Sequence, residues 1–366
     1  MAKKDRSCIR KTSIGGQALM EGIMMRGPKI SAMAVRNPQG EMVIETFPTE
    51  AKKRPAFLKW PIIRGVFNYI DSMVMGTKCL MRSAEISGLE EAEEELRREK
   101  EAKKAAKKAK KGISEEKVEE SSITTENTSD TDVAKNDKKK ESSALMGVMM
   151  FFSVLMGILF SIGLFIIVPS YIYKGALYLF PGLNTGNPAT TSLIKSVFEG
   201  VFKIVILIAY MALISLMKDI KRTFMYHGAE HKTIFCYESG LELTVENVRA
   251  QKRFHPRCGT SFLILMLLIG IFISFFIDPL CLAIFGSVPS TLIRTLIRIL
   301  LLPIVVGIGY EMIKIAGKHD NLFTRIISAP GVWLQKITTK EPTDDMIECA
   351  IAAVKEVIPD DESDAW

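Results

Sequence analysis

Four stretches of this chain are too long and too apolar to fold on their own in water: Leu145 to Tyr173, Leu193 to Met217, Ser261 to Phe285 and Leu292 to Ala316. A run of about 18 or more mainly apolar residues can satisfy its backbone inside a bilayer only as a helix, so these blocks predict an α-helical membrane protein with four spans. The second block is interrupted near its start by Glu199 and Lys203. Spaced i, i+4 with the acid first, they can pair on one helix face near the interface, and the segment is still expected to cross.

The basic residues orient the spans. Lys218, Lys221, Arg222, Lys232, Arg249, Lys252, Arg253 and Arg257 lie between the second and third blocks, whereas the other two connections carry only Lys174. Positive charge marks the cytoplasmic side, so the connection 218–260 and both termini are expected there. The net charge of +7 could suggest nucleic acid. Its lysines, however, crowd one low-complexity segment and the membrane flanks, and no nucleic-acid motif accompanies them, so no such partner is expected. The six cysteines lack the spacing of a disulfide framework and read as reduced thiols. "MAKKDRSCIRK" is basic like the start of a secretion signal, but the glycine-rich stretch after it has no continuous apolar region, so no cleaved signal is expected.

Around the spans the chain divides by composition. Residues 1–87 read as a small cytoplasmic α+β module: "MAVRNPQGEMVIETF" predicts a hairpin and "WPIIRGVFNYIDSMVMGTKCLM" an amphipathic helix. Residues 88–143, opening with "EEAEEELRREKEAKKAAKKAKK", have almost no apolar content after that run and read as a charged, largely disordered tether. The membrane domain takes 144–317. In the tail, 318–366, "PTDDMIECAIAAVKEVI" predicts an amphipathic helix that packs on the N-terminal module.

The chemistry gathers in the connection 218–260. The second span is expected to run on as one helix through "YHGAEHKTIFCY" to a stop near Gly240. On that helix His227 and His231 share a face one turn apart, where both imidazoles can reach one metal ion, with Glu230 beside them as ligand or general base. "HGAEH" matches the H-x-x-E-H pattern of a peptidase group, but the surrounding chain offers no peptidase context. A second cluster, His255 and Cys258 in "RFHPRCGTSF", returns to the same membrane surface and adds a zinc-type imidazole and thiolate pair. A zinc-type divalent metal is the one cofactor expected, with no organic cofactor. The same residues also suit a structural use, the histidines as interfacial helix-end groups and Cys258 as a small buried residue. A closed His/His/His/Cys set would be structural; an open position with Glu230 as base would make a hydrolase or transferase.

Elsewhere the signals are weaker. "GGQALMEGIMMRGP" sets glycines around Arg26, an arrangement that suits either an anion contact or tight turns between short strands. Glu311, near the inner end of span four, calls for a partner. Arg294 and Arg298 are expected to pair with Glu199 and Asp278, and His319 to lie at the cytoplasmic surface. Ser153, Gly157 and Ser161 make a small-residue stripe on span one.

Taken together, "GGQALMEGIMMRGP", "PIIRGVFNYIDSMVMGTKCLMRSAE", "YHGAEHKTIFCYESGLELTVENVRAQKRFHPRCGTSF" and "GIGYEMIKIAG" resemble the YqhQ-like bacterial membrane proteins, a family of unknown function. The resemblance spans most of the chain outside the charged tether. It implies a bacterial cytoplasmic membrane. Members have been described as predicted metal-dependent enzymes, which would fit His227, Glu230, His231, His255 and Cys258.

The leading expectation is therefore a metal-dependent hydrolase or transferase at the cytoplasmic face, acting on a membrane-associated or hydrophobic substrate. His227, His231 and His255 would be ligands, Cys258 a ligand or nucleophile, Glu230 a proton carrier and Arg26 an anion contact. The alternative is a non-enzymatic membrane scaffold or regulator with a structural histidine cluster, and a transporter component comes third. Membrane lipid, a second copy of the chain and a cytoplasmic protein are the partners expected.

Overall fold

The computed structural model describes residues 10–49, 55–88, 152–319 and 321–365. The charged tether, Cys8 and the start of the first apolar block fall outside them. The described residues include four helices of membrane-crossing length, so the chain is a multi-pass α-helical membrane protein. The described residues fall into two compact units, one holding residues 152–179 and the other the remaining described residues. In the first unit, helix α2 (Phe152–Leu179) contains a π-helical turn at Gly163–Ile167. It extends past the expected end at Tyr173. Ser153, Gly157 and Ser161 are all exposed on it.

The second unit begins with an antiparallel meander of four strands, β1 (Gly15–Leu19), β2 (Gly22–Arg26), β3 (Ile30–Arg36) and β4 (Met42–Pro48), in the order β1-β2-β3-β4. The glycine-rich segment is thus a hairpin, joined in register to the one expected from "MAVRNPQGEMVIETF". Alternation sends Leu19, Met24, Met33 and Val35 to one face, where they pack with Cys79 of helix α1 (Ile63–Ile86). Ile23, Met25, Ala32 and Ala34 go to the other, against helices α4 (Lys218–Glu238) and α9 (Asp344–Lys355). Segments far apart in the sequence, the N-terminal module, the connection and the tail, therefore share one core.

The remaining spans are α3 (Pro188–Ile214), α6 (Gly259–Phe285) and α7 (Thr291–Lys318), with a short α5 (Val245–Arg249) in the connection. Helix α3 does not continue into α4 as expected. The helix ends at Ile214, and Met217 takes an extended conformation as the N-cap of α4, which frees α4 to set its own direction. Gly240, at φ 63°, closes α4 where a stop was expected.

A helix absent from the sequence reading, α8 (Leu322–Thr338), follows span four and packs on α6. Its Asn321 cap accepts from Thr324 in a capping box, and Gly331 lies against Ser261. Inside the membrane domain Asp278 takes a two-point contact from Arg294, with Nε at 2.8 Å, and a hydrogen bond from Ser192. Glu199 meets Lys195 at 3.8 Å and Arg298 at 3.3 Å. Glu311 takes two hydrogen bonds from Arg64 of α1, where Gly65 and Gly307 let α1 and α7 approach closely.

Candidate metal centre

Helical spacing alone brings His227 and His231 of α4 together, with ring centroids 4.4 Å apart. Their orientation comes from elsewhere. The Nδ1 of His227 donates to the carbonyl of Thr338, 2.9 Å away at the C-terminal end of α8, one of the helix-end carbonyls that lack an intrahelical donor. The Nδ1 of His231 donates to the carbonyl of Arg253 at 2.5 Å. A carbonyl only accepts, so in each neutral ring the proton sits on Nδ1 and the Nε2 lone pair faces inward.

What the two Nε2 atoms face is Cys258. Its Sγ lies 3.0 Å from Nε2 of His227 and accepts from the backbone N–H of Thr260 as the N-cap of α6. The Nε2 of His231 is buried and, among the described residues, has no hydrogen-bond partner. The two nitrogens and the sulfur all lie within 4.8 Å of one another. Bonds of about 2.0–2.3 Å around tetrahedral zinc place ligand atoms about 3.5 Å apart, so the donor set suits such an ion once the His227–Cys258 pair, at 3.0 Å, widens slightly. Two nitrogens and one sulfur would hold a tetrahedral ion with one position left for water or substrate.

Charge in this buried place is already polarised. Burial opposes ionisation of Cys258, but His227 and His231 outweigh it and hold the thiol well below its ordinary range. Burial likewise works against a charged His227, yet the Cys258 sulfur raises it to about 9. Glu230 is pushed up by burial, with the two histidines pulling the other way.

Glu230 lies outside the three-atom cluster. Its Oε1 accepts from the N–H of Gly16 on β1 at 3.0 Å, and a side chain at Gly16 would meet Glu230 Cγ at 2.9 Å. His255 is also outside it. Gln335 of α8 clamps its backbone at both N–H and carbonyl, each at 2.7 Å, and its ring nitrogens face Arg257 and Glu238. Burial first, then Arg257 and His231, lower its pKa to about 4. Its ring packs on His231 and Phe235 instead, with centroids at 5.6 and 4.7 Å. The sequence places these two histidines on the same surface, but the Gln335 clamp fixes His255 behind the cluster. His319 is exposed at the end of α7 and takes no part.

Arg26, by contrast, shares the site. A cavity of about 550 Å³ is lined by Arg26 and Met24 of β2, Ser72 and Met73 of α1, His227, Glu230 and His231 of α4, and Cys258. Arg26 donates to Ser72 Oγ at 3.0 Å. Sequence reasoning missed Thr338, Gln335 and the Arg253 carbonyl. The two carbonyls carry no sequence signal at all, whereas Gln335 sits in an amphipathic stretch, 322–338, that is readable once Pro330 and Gly331 are allowed inside a helix.

A family model described as "Protein of unknown function (DUF1385)" matches residues 60–360. The chain is 33% identical over 350 residues to "Uncharacterized protein YqhQ" of Bacillus subtilis (strain 168), a match covering 94% of this chain and 92% of that protein. No solved structure matches it significantly.

Proposed function

The chain belongs to this family of uncharacterised proteins, and for it we propose a metal-dependent hydrolase at the cytoplasmic face of a bacterial membrane, built on one zinc-type ion. His227, His231 and Cys258 are its ligands. The observation that carries this reading is the pair of Nδ1–H donations to Thr338 and Arg253, which turn both Nε2 atoms toward the Cys258 sulfur. Carbonyl acceptors behind metal-binding histidines are the usual device for fixing tautomer and ring direction. Three ligands and an open position characterise catalytic rather than closed structural zinc.

When bound, the ion would lower the pKa of a coordinated water toward about 7 and supply a nucleophile at neutral pH. Glu230, lining the same cavity and held by Gly16, is the group that takes the water's proton. His255 is a positioning residue, packed on His231. Cys258 N-caps a membrane span, so the reaction takes place where the bilayer meets water, which suits a membrane-associated substrate. The excess of Lys and Arg in the connection supports the cytoplasmic side.

Elemental analysis of detergent-purified protein tests the reading. About one zinc per chain is expected, with His231→Ala losing it and Glu230→Gln retaining it. Cobalt in place of zinc should give the thiolate-to-metal absorption band, absent in Cys258→Ser. Wild type that takes up neither metal at neutral pH would sink the proposal.

A further inference from the structure

Arg26 stands apart from the other arginines of its module. Those that the structure describes meet carboxylates, as Arg10 meets Asp364 and Arg64 meets Glu311. Among the described residues no carboxylate reaches Arg26, whose guanidinium is held by the neutral Ser72 hydroxyl. It is half-buried, and it lines the cavity that contains His227, His231 and Cys258. A guanidinium desolvated without a counter-charge is costly to keep, and its planar fork matches an oxyanion at two points.

The wall beside Arg26 says what carries that anion. Helix α1 contributes Ser72 and Met73 to the cavity, and its first turns press against Gly307 of span α7. Gly307 lies 11 residues before Lys318, about 16 Å along the helix from its end at 1.5 Å per residue. A 28-residue span is about 42 Å long against a hydrocarbon core of about 30 Å, so this contact lies below the membrane surface. There α1 and the turn before it leave Trp60, Ile62, Ile70 and Met73 exposed, an apolar surface that lipid would cover. The cavity thus has one wall reaching bilayer depth and, in Arg26, a cation that no carboxylate among the described residues meets.

From this juxtaposition we infer that the cavity takes an amphiphile bearing a phosphoryl anion, with Arg26 on the phosphoryl oxygens and the apolar body lying along α1 toward the bilayer. The inference names the substrate class of the hydrolase proposed above and rests on that reading for the chemistry, though not for the binding. Anionic head groups at a membrane surface are mostly phosphates, and a free phosphate would offer Arg26 the same oxygens without the apolar body.

The test uses the full chain in detergent and three probes: short-chain phosphatidic acid, the matching neutral diacylglycerol and inorganic phosphate. Phosphatidic acid is expected to bind roughly tenfold or more tighter than either of the others, about 1.4 kcal/mol of discrimination. Arg26→Ala should lose about tenfold in affinity for phosphatidic acid and Arg26→Lys should recover part of it, both with unchanged zinc content. Equal binding by Arg26→Ala and wild type overturns the inference. So does equal binding of the neutral lipid, and so does inorganic phosphate binding as tightly as the lipid. Arg26-dependent lipid binding by protein without zinc would leave this inference standing while the metal reading fell.

Discussion

Two of the polar clusters buried among the described residues are built on opposite principles. Inside the membrane domain Asp278 and Glu199 are met by Arg294, Arg298, Lys195 and Ser192, so each acid is matched by donors. At the end of α4 two histidine nitrogens and a sulfur converge with the Nδ1 protons turned away, and one of the nitrogens has no partner among the described residues. In the first cluster both carboxylates are answered by cations, whereas the second holds a ligand-type nitrogen with nothing to meet it. Pairing of carboxylates is what a low-dielectric interior demands of charges that only hold helices together, whereas an unpartnered buried nitrogen is a cost to stability.

Breaking each cluster should therefore give different results. The largest effect on the fold is expected from Asp278→Ala, which strands Arg294 inside the membrane domain. Losing one partner of a buried pair costs about 3–5 kcal/mol, so the variant should unfold well below wild type in detergent melts. A wild-type melt would show that the matched charges do little. His231→Ala should instead abolish stoichiometric zinc, while melting of the metal-free proteins differs little; if the metal-free variant collapsed, the open cluster would be structural after all.

A smaller loss is expected from Gly228→Ala. A Cβ there would meet the Lys340 carbonyl at 2.0 Å, pushing away the segment that follows Thr338 and with it the acceptor for His227. Outer-shell partners of metal ligands are worth about 10–100-fold in affinity, so zinc competition with a chelator should show a drop in that range with all three ligands intact. Unchanged affinity would separate the Thr338 contact from the site. Least of all should come from Arg249→Ala, which breaks an exposed pair with Asp344. Neither melting nor zinc content should move, and a shift in either would mean that the surface of the connection is coupled to the centre.

The spans were legible because bilayer crossing demands one simple property over a long window, and the sequence-derived boundaries of the last two fall within two residues of the structural ones. The histidine and cysteine placement was legible because i, i+4 spacing and topology do not depend on packing detail. Helix α8 was obscured by its internal Pro330 and Gly331, which read as a break but are accommodated where Gly331 meets Ser261. The break between α3 and α4 was hidden because Ser215 to Met217 carries neither glycine nor proline. His255 could not be placed beforehand, because its position is set by Gln335, 80 residues away.

The carbonyl of Thr338 is 111 residues beyond His227, and the N–H that holds Glu230 is 214 residues before it. A nascent chain that has emerged only through the third span already contains all three donor atoms, but not the segment that aims His227. Completion of the cluster therefore waits on the end of synthesis, and a chain in which His227 is aimed is one whose two ends have already found each other.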